Sequence, residues 1–105
     1  MRYYETMMIL KSSLDHEGTE GVITNFKGLI QKLGGKVIDE ERWGRRKLAY
    51  PIKHQESGIY AILYFTGEGD LVKELDRVMK ITDEVTRYRI VKRDDLLKKS
   101  LMRGE

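Results

Sequence analysis

The sequence predicts one α+β domain of split βαβ architecture, a four-stranded antiparallel sheet with two helices on one face. Three observations predict it. Four stretches read as strands, by alternation or by a short continuous apolar run, and two carry apolar residues at helical spacing, in the order strand, helix, strand, then strand, helix, strand again. The first and third strand stretches are the most apolar, as central strands require. The second and fourth carry the charge, which suits edges.

Taken in order, Arg2 to Leu10 reads as a central strand, because Met7, Met8, Ile9 and Leu10 are apolar on both faces. Lys11 to Asp15 is a loop, with Ser13 or Asp15 as the helix cap. The helix that follows carries Val22, Ile23, Phe26, Leu29, Ile30 and Leu33 on one stripe. Gly34 and Gly35 end it by tolerating positive φ. A long second strand runs from Lys36 to Lys53; Gly44 marks a bulge or bend, and Pro51 keeps the strand at an edge. His54 to Ser57 forms the turn into a third, central strand, Gly58 to Phe65. After a turn at Gly67 to Asp70, Asp70 caps a second helix with Leu71, Leu75, Val78 and Met79 on its stripe. Ile81 to Glu84 is a loop. The last strand, Val85 to Arg93, sets Val85, Arg87, Arg89 and Val91 against Thr86, Tyr88 and Ile90. Residues 1–93 thus form a ferredoxin-like domain and 94–105 a polar tail.

The 105 residues carry a net charge of +3 and are 40% hydrophobic, enough for one core between two layers. Charge is segregated: Gly67 to Glu84 holds three Lys/Arg against six Asp/Glu, and Val85 to Glu105 holds seven against three. A surface that faces a polyanion needs such segregation. The absence of cysteine excludes disulfides and thiolate metal sites. The opening MRYYETMMIL carries Glu5 and no cleavage site of small residues, and no apolar run approaches the ~20 residues of a membrane span. A soluble cytoplasmic protein is expected.

Helices cover one sheet face and leave the other bare. On the third strand Ile59, Ala61, Leu63 and Phe65 have no polar atoms to satisfy and are assigned inward, which leaves Tyr60, Ile62 and Tyr64 on the bare face. An exposed patch of this kind marks a partner site. Arg87, Arg89 and Val91 join it from the fourth strand. Base stacking in the manner of an RNA-recognition motif is not expected, because Ile59 and Ala61 stand where that module places aromatics.

The stretch Trp43 to Lys53, WGRRKLAYPIK, joins three consecutive cations to an alternating apolar run, Leu48, Tyr50 and Ile52. Arg45, Arg46 and Lys47 suit phosphate oxygens, since arginine forks bind them bidentately and each contact releases counterions. Arg87, Arg89, Lys92 and Arg93 form a second stripe. Arg2 lies on the neighbouring strand, which would merge the two groups. Trp43 is read as core or strand-bend packing before partner anchor, and Tyr50 as core first. His16 and His54 lack neighbours at ligand spacing, so no metal is expected. Asp39, Glu40 and Glu41 alternate across the strand and cannot converge on one reacting atom.

With these residues in place the chain resembles the family of the sixth protein of the bacterial small ribosomal subunit. The likeness spans about residues 1–93. Its marks are RYYE at Arg2 to Glu5, the Gly-Gly after the first helix, the run Gly44 to Ile52, Gly58 and the basic fourth strand. It implies the fold read above, no enzymatic activity and no cofactor. It implies binding to small-subunit (16S) ribosomal RNA together with the eighteenth small-subunit protein, by a chain that is monomeric when free. By this likeness Arg2, Arg45, Arg46, Lys47 and Arg87 meet RNA, and the partner takes much of the exposed surface, with Tyr60, Ile62, Tyr64 and Val91 as its expected contacts. Two other readings share the fold. An acyl-phosphate hydrolase would need an Arg and an Asn that the loop Lys11-Ser12-Ser13 does not offer. A dimerising small-molecule regulatory domain is opposed by the charged second strand.

Overall fold

The computed structural model describes residues 2–52 and 55–93, with 51–52 and 55–56 described by backbone alone. The expected tail at 94–105, the expected strand end at Lys53, the side chain of Ile52, and His54 lie outside that description. The elements are β1 (Arg2–Lys11), α1 (His16–Lys32), β2 (Lys36–Ile52), β3 (Gln55–Gly67), α2 (Gly69–Ile81) and β4 (Val85–Lys92). The strands form one antiparallel sheet in the order β2-β3-β1-β4, so the two apolar strands are central and the two charged ones are edges, as read.

Each helix end has a local cause. Asp15 caps α1, its carboxylate accepting from Gly18 N at 2.7 Å. At the other end Gly34, with φ of 90°, lets its own N–H reach Gln31 O at 3.1 Å and that of Gly35 reach Ile30 O at 2.9 Å, the paired closure of a Schellman motif. Leu33, expected on the buried stripe, is the C-cap residue and turns out to solvent. The expected cap Asp70 sits inside the first turn of α2, where its charge opposes the positive helix end, and Glu68 is the N-cap.

The core lies between the helices and one sheet face. Val22, Ile23, Phe26 and Ile30 of α1 and Leu71, Leu75 and Met79 of α2 pack on Tyr4, Met8, Leu10, Ile59, Ala61, Leu63 and Phe65. The Tyr4 and Phe65 rings stack at 5.7 Å. The inward assignment of the β3 set therefore stands. Three departures from strand alternation matter. Register slips between Val37 and Asp39, and again between Arg42 and Gly44, where φ at Gly44 is 74°. It slips a third time opposite Ile9 and Leu10, where Arg87 and Val85 are successive partners and Thr86 is extra. That bulge returns Val85 to the core, whereas strict alternation had grouped it with Arg87 and Arg89. Of the expected turn at His54 to Ser57, Gln55, Glu56 and Ser57 belong to β3, and His54 lies outside the described residues.

Candidate nucleic-acid and partner interface

Across the bare face the strand registers align side chains into three rows. The first holds Gly44, Tyr60, Ile9 and Arg87, the second Glu41, Ile62, Met7 and Arg89, and the third Asp39, Tyr64, Glu5 and Val91. Cations therefore lie along the β4 edge of the first two rows. Carboxylates gather toward the third row and the β2 edge. The face is split by charge.

The bulge at Gly44 decides what β2 adds. Arg42 points to the helix side, where it pairs with Glu20 and Glu40. Trp43 turns to the bare face and stacks on Tyr60, with ring centroids 6.3 Å apart and planes 11° from parallel. It is 45% exposed, so it is not a core residue; it packs at the strand bend instead. Arg45 returns to the helix side and donates to Ser12 O at 2.7 Å and Leu14 O at 3.2 Å. Arg46 lies over the Trp43 ring, 5.5 Å from its centroid. The expected triplet is thus divided: Arg46 joins the bare face, and Arg45 braces the loop before α1. Lys47 is exposed, opposite Ser57.

Beyond Lys47 the strand leaves the rim and lies over the sheet. Leu48 is buried, and Gly58 leaves room for Ile9 and Leu48 to meet beside it. Tyr50 is 59% exposed, again no core residue, and its hydroxyl accepts from Arg87 Nη1 at 2.8 Å. The end of β2 therefore reaches across to the opposite edge strand. Beneath it runs a groove of about 230 Å³ whose lining includes Met7, Ile9, Leu48, Tyr60 and Arg89.

The other expected residues fall as follows. Arg89 is exposed and has no ion pair among the described residues. Arg93 pairs with Glu5 and lies 6.0 Å from the centre of the Tyr64 ring. Tyr64 in turn donates to Glu41 Oε2 at 3.1 Å, and burial, then that bond, pushes its phenol above the ordinary value. Arg2 and Lys92 are exposed beyond the third row, in the register positions of the helix side. Arg2 so joins the end of β4 and not the Arg46 group. Tyr60, Tyr64 and Val91 are half-buried on the bare face. Ile62 lies there too, in register with Met7 and Glu41, but at 4% exposure it offers little surface. Sequence reasoning did not single out Met7, Ile9 and Leu48 as groove residues; the apolar double-sided run in β1 was the signal that could have found them.

The family model of ribosomal protein S6 matches residues 3–92 of this chain. The chain belongs to that family. It is 50% identical over 91 residues to the small ribosomal subunit protein bS6 of Clostridium novyi (strain NT), covering 87% of this chain and 96% of that protein. To the bS6 protein of Caldanaerobacter subterraneus subsp. tengcongensis it is 45% identical over 95 residues, covering 90% of this chain and 100% of the relative. The crystal structure of 30S ribosomal protein S6 from Thermotoga maritima superposes with a TM-score of 0.89 at 33% identity, covering 99% of this chain and 98% of that one. Membership makes the chain a structural protein of the small ribosomal subunit, with ribosomal RNA and ribosomal proteins as its neighbours, and not an enzyme. The hydrolase reading ends here. No described helix is long and apolar enough to cross a membrane.

Proposed function

We propose that this chain binds small-subunit (16S) ribosomal RNA together with the eighteenth small-subunit protein, as part of the cytoplasmic ribosome, and is a monomer when free. Arg46, Arg87 and Arg89 meet phosphates, and Tyr60, Tyr64 and Val91 face the partner chain. One observation carries this reading: these three arginines stand on the bare face without an ion pair among the described residues, and the carboxylates of that face gather in its opposite corner. Arg2, Lys47 and Lys92 add exposed charge at the periphery. Arg45 and Arg93 are engaged internally and serve the shape of the site. With a net charge of only +3, the domain depends on its partner for tight binding.

Filter binding of the RNA with the partner present, across a salt series, tests this. An Arg46→Ala/Arg89→Ala variant is expected to bind more weakly, with a salt slope smaller by about two. Unchanged affinity and slope would refute the assignment, and tight, specific binding by the isolated chain would refute the dependence on the partner.

A further inference from the structure

We infer that Tyr50 is itself an RNA-binding residue, sharing one phosphate with Arg87 across the seam between the end of β2 and the β4 edge. The inference rests on the RNA-binding reading above and deepens it. Tyr50 spends a lone pair of its hydroxyl on Arg87 Nη1 at 2.8 Å. The O–H proton stays available to an acceptor, and Arg87 keeps its other N–H donors. Both side chains are exposed, so an oxygen anion has access to them. Such an acceptor completes a chain of charge-assisted bonds, which are the stronger class. Arg89, two residues along the same edge and lining the same groove, adds a second cation with no ion pair among the described residues. None of the described acids of the bare face stands in this row; they lie at Asp39, Glu41 and Glu5, so none of the three competes for these donors by register. A tetrahedral phosphate can accept from Tyr50 and Arg87 at once. Bound there, it fastens the overlying end of β2 to the sheet.

The test uses the full chain with its partner and the small-subunit RNA, comparing wild type, Tyr50→Phe, Arg87→Gln and the double variant. Tyr50→Phe removes one hydroxyl and no charge. It is expected to weaken RNA binding on the order of tenfold, with the salt slope unchanged and the thermal midpoint of the free protein retained. Arg87→Gln is expected to lower the slope by about one. The double variant is expected to bind much as Arg87→Gln does, because the two groups act on one phosphate. Wild-type affinity in Tyr50→Phe, or losses that simply add in the double variant, would overturn the inference. So would a Tyr50→Phe defect that appears in binding the partner protein without RNA. Failure of the wild type to bind RNA in the same assay would instead strike the RNA-binding reading, and this inference with it.

Discussion

Replacing Gly58 by alanine probes how the end of β2 is seated on the sheet. A Cβ at this position would stand closer than 3.0 Å to Ile9 Cγ2, with Leu10 O at 3.4 Å and Leu48 Cδ2 at 3.7 Å. Ile9 is 4% exposed and branched at Cβ, so its methyl cannot swing clear without moving its neighbours. Overpacking of this kind costs about 1–3 kcal/mol. The smaller entropy of the unfolded alanine chain returns about 0.4–1 kcal/mol. A net loss of about 1–2 kcal/mol follows, which in a domain of this size lowers the melting temperature by roughly 5–12 °C. Gly28→Ala is the matched control. Gly28 is exposed inside α1 with nothing within 4 Å of its would-be Cβ, and alanine there gains about 0.8–1 kcal/mol of helix propensity. The same substitution should therefore shift the calorimetric transition down at one glycine and up at the other. Ile9→Ala adds a second check. On its own it costs about 2–4 kcal/mol, but in the Gly58→Ala background it removes the clashing methyl and should cost at least about 1 kcal/mol less. Equal shifts for the two glycine variants, or strict additivity of Gly58→Ala and Ile9→Ala, would refute the steric argument.

Two further outcomes separate structural from functional groups. Arg93→Ala strips the guanidinium from Glu5, whose side chain is 16% exposed, and should cost about 1–3 kcal/mol in urea unfolding, whereas Arg89→Ala should stay within about 0.5 kcal/mol; equal costs would contradict the division. Tyr88 has its phenol pushed up to about 12, first by burial and then by its hydrogen bond to Asp76 Oδ1 at 2.7 Å. The folded protein holds that proton more tightly than the unfolded chain, so the contribution is complete below the ordinary phenol value of 10.0 and is lost as pH rises toward about 12. Tyr88→Phe should flatten the fall of stability across that alkaline window, and an unchanged fall would show that Tyr88 is not its source.

The fold was legible because each level of the sequence agreed with the next. The apolar gradient named β1 and β3 as central, and the helical stripes named the faces that meet them. Gly34-Gly35 announced a helix end that the backbone closes with two hydrogen bonds. Gly44 announced one bulge, which the register bears out; the slips at Val37–Asp39 and at Thr86 were what the sequence concealed. Alternation assigns sides only until a residue is added on one strand, and after that every assignment inverts. Val85 was misplaced for this reason, since Thr86 is the extra residue between it and Arg87. Tyr50 shows a different limit. The period correctly put Leu48 and Tyr50 on one side of the strand, but β2 runs past the helices, and that side looks onto the bare face. Apolar character marks burial, and here the burial is beneath the protein's own overlying strand.

The division of the cation triplet follows from the same physics. Arg42 faces the helices, so a regular strand would send Trp43 to the bare face, Gly44 back, Arg45 to the bare face and Arg46 to the helices. The bulge adds one residue. Gly44, at φ of 74°, takes the register position opposite Tyr60 on the bare face, and the pattern beyond it inverts. Arg46 is thereby placed over Trp43 on the bare face, and Arg45 is committed to the carbonyls of Ser12 and Leu14. Positive φ is strained for any residue with a Cβ, and a glycine at this point makes the inversion accessible. A residue with no side chain thus selects which arginine the bare face presents. The charge pattern of the site depends on local backbone conformation as much as on the number of cations in the sequence.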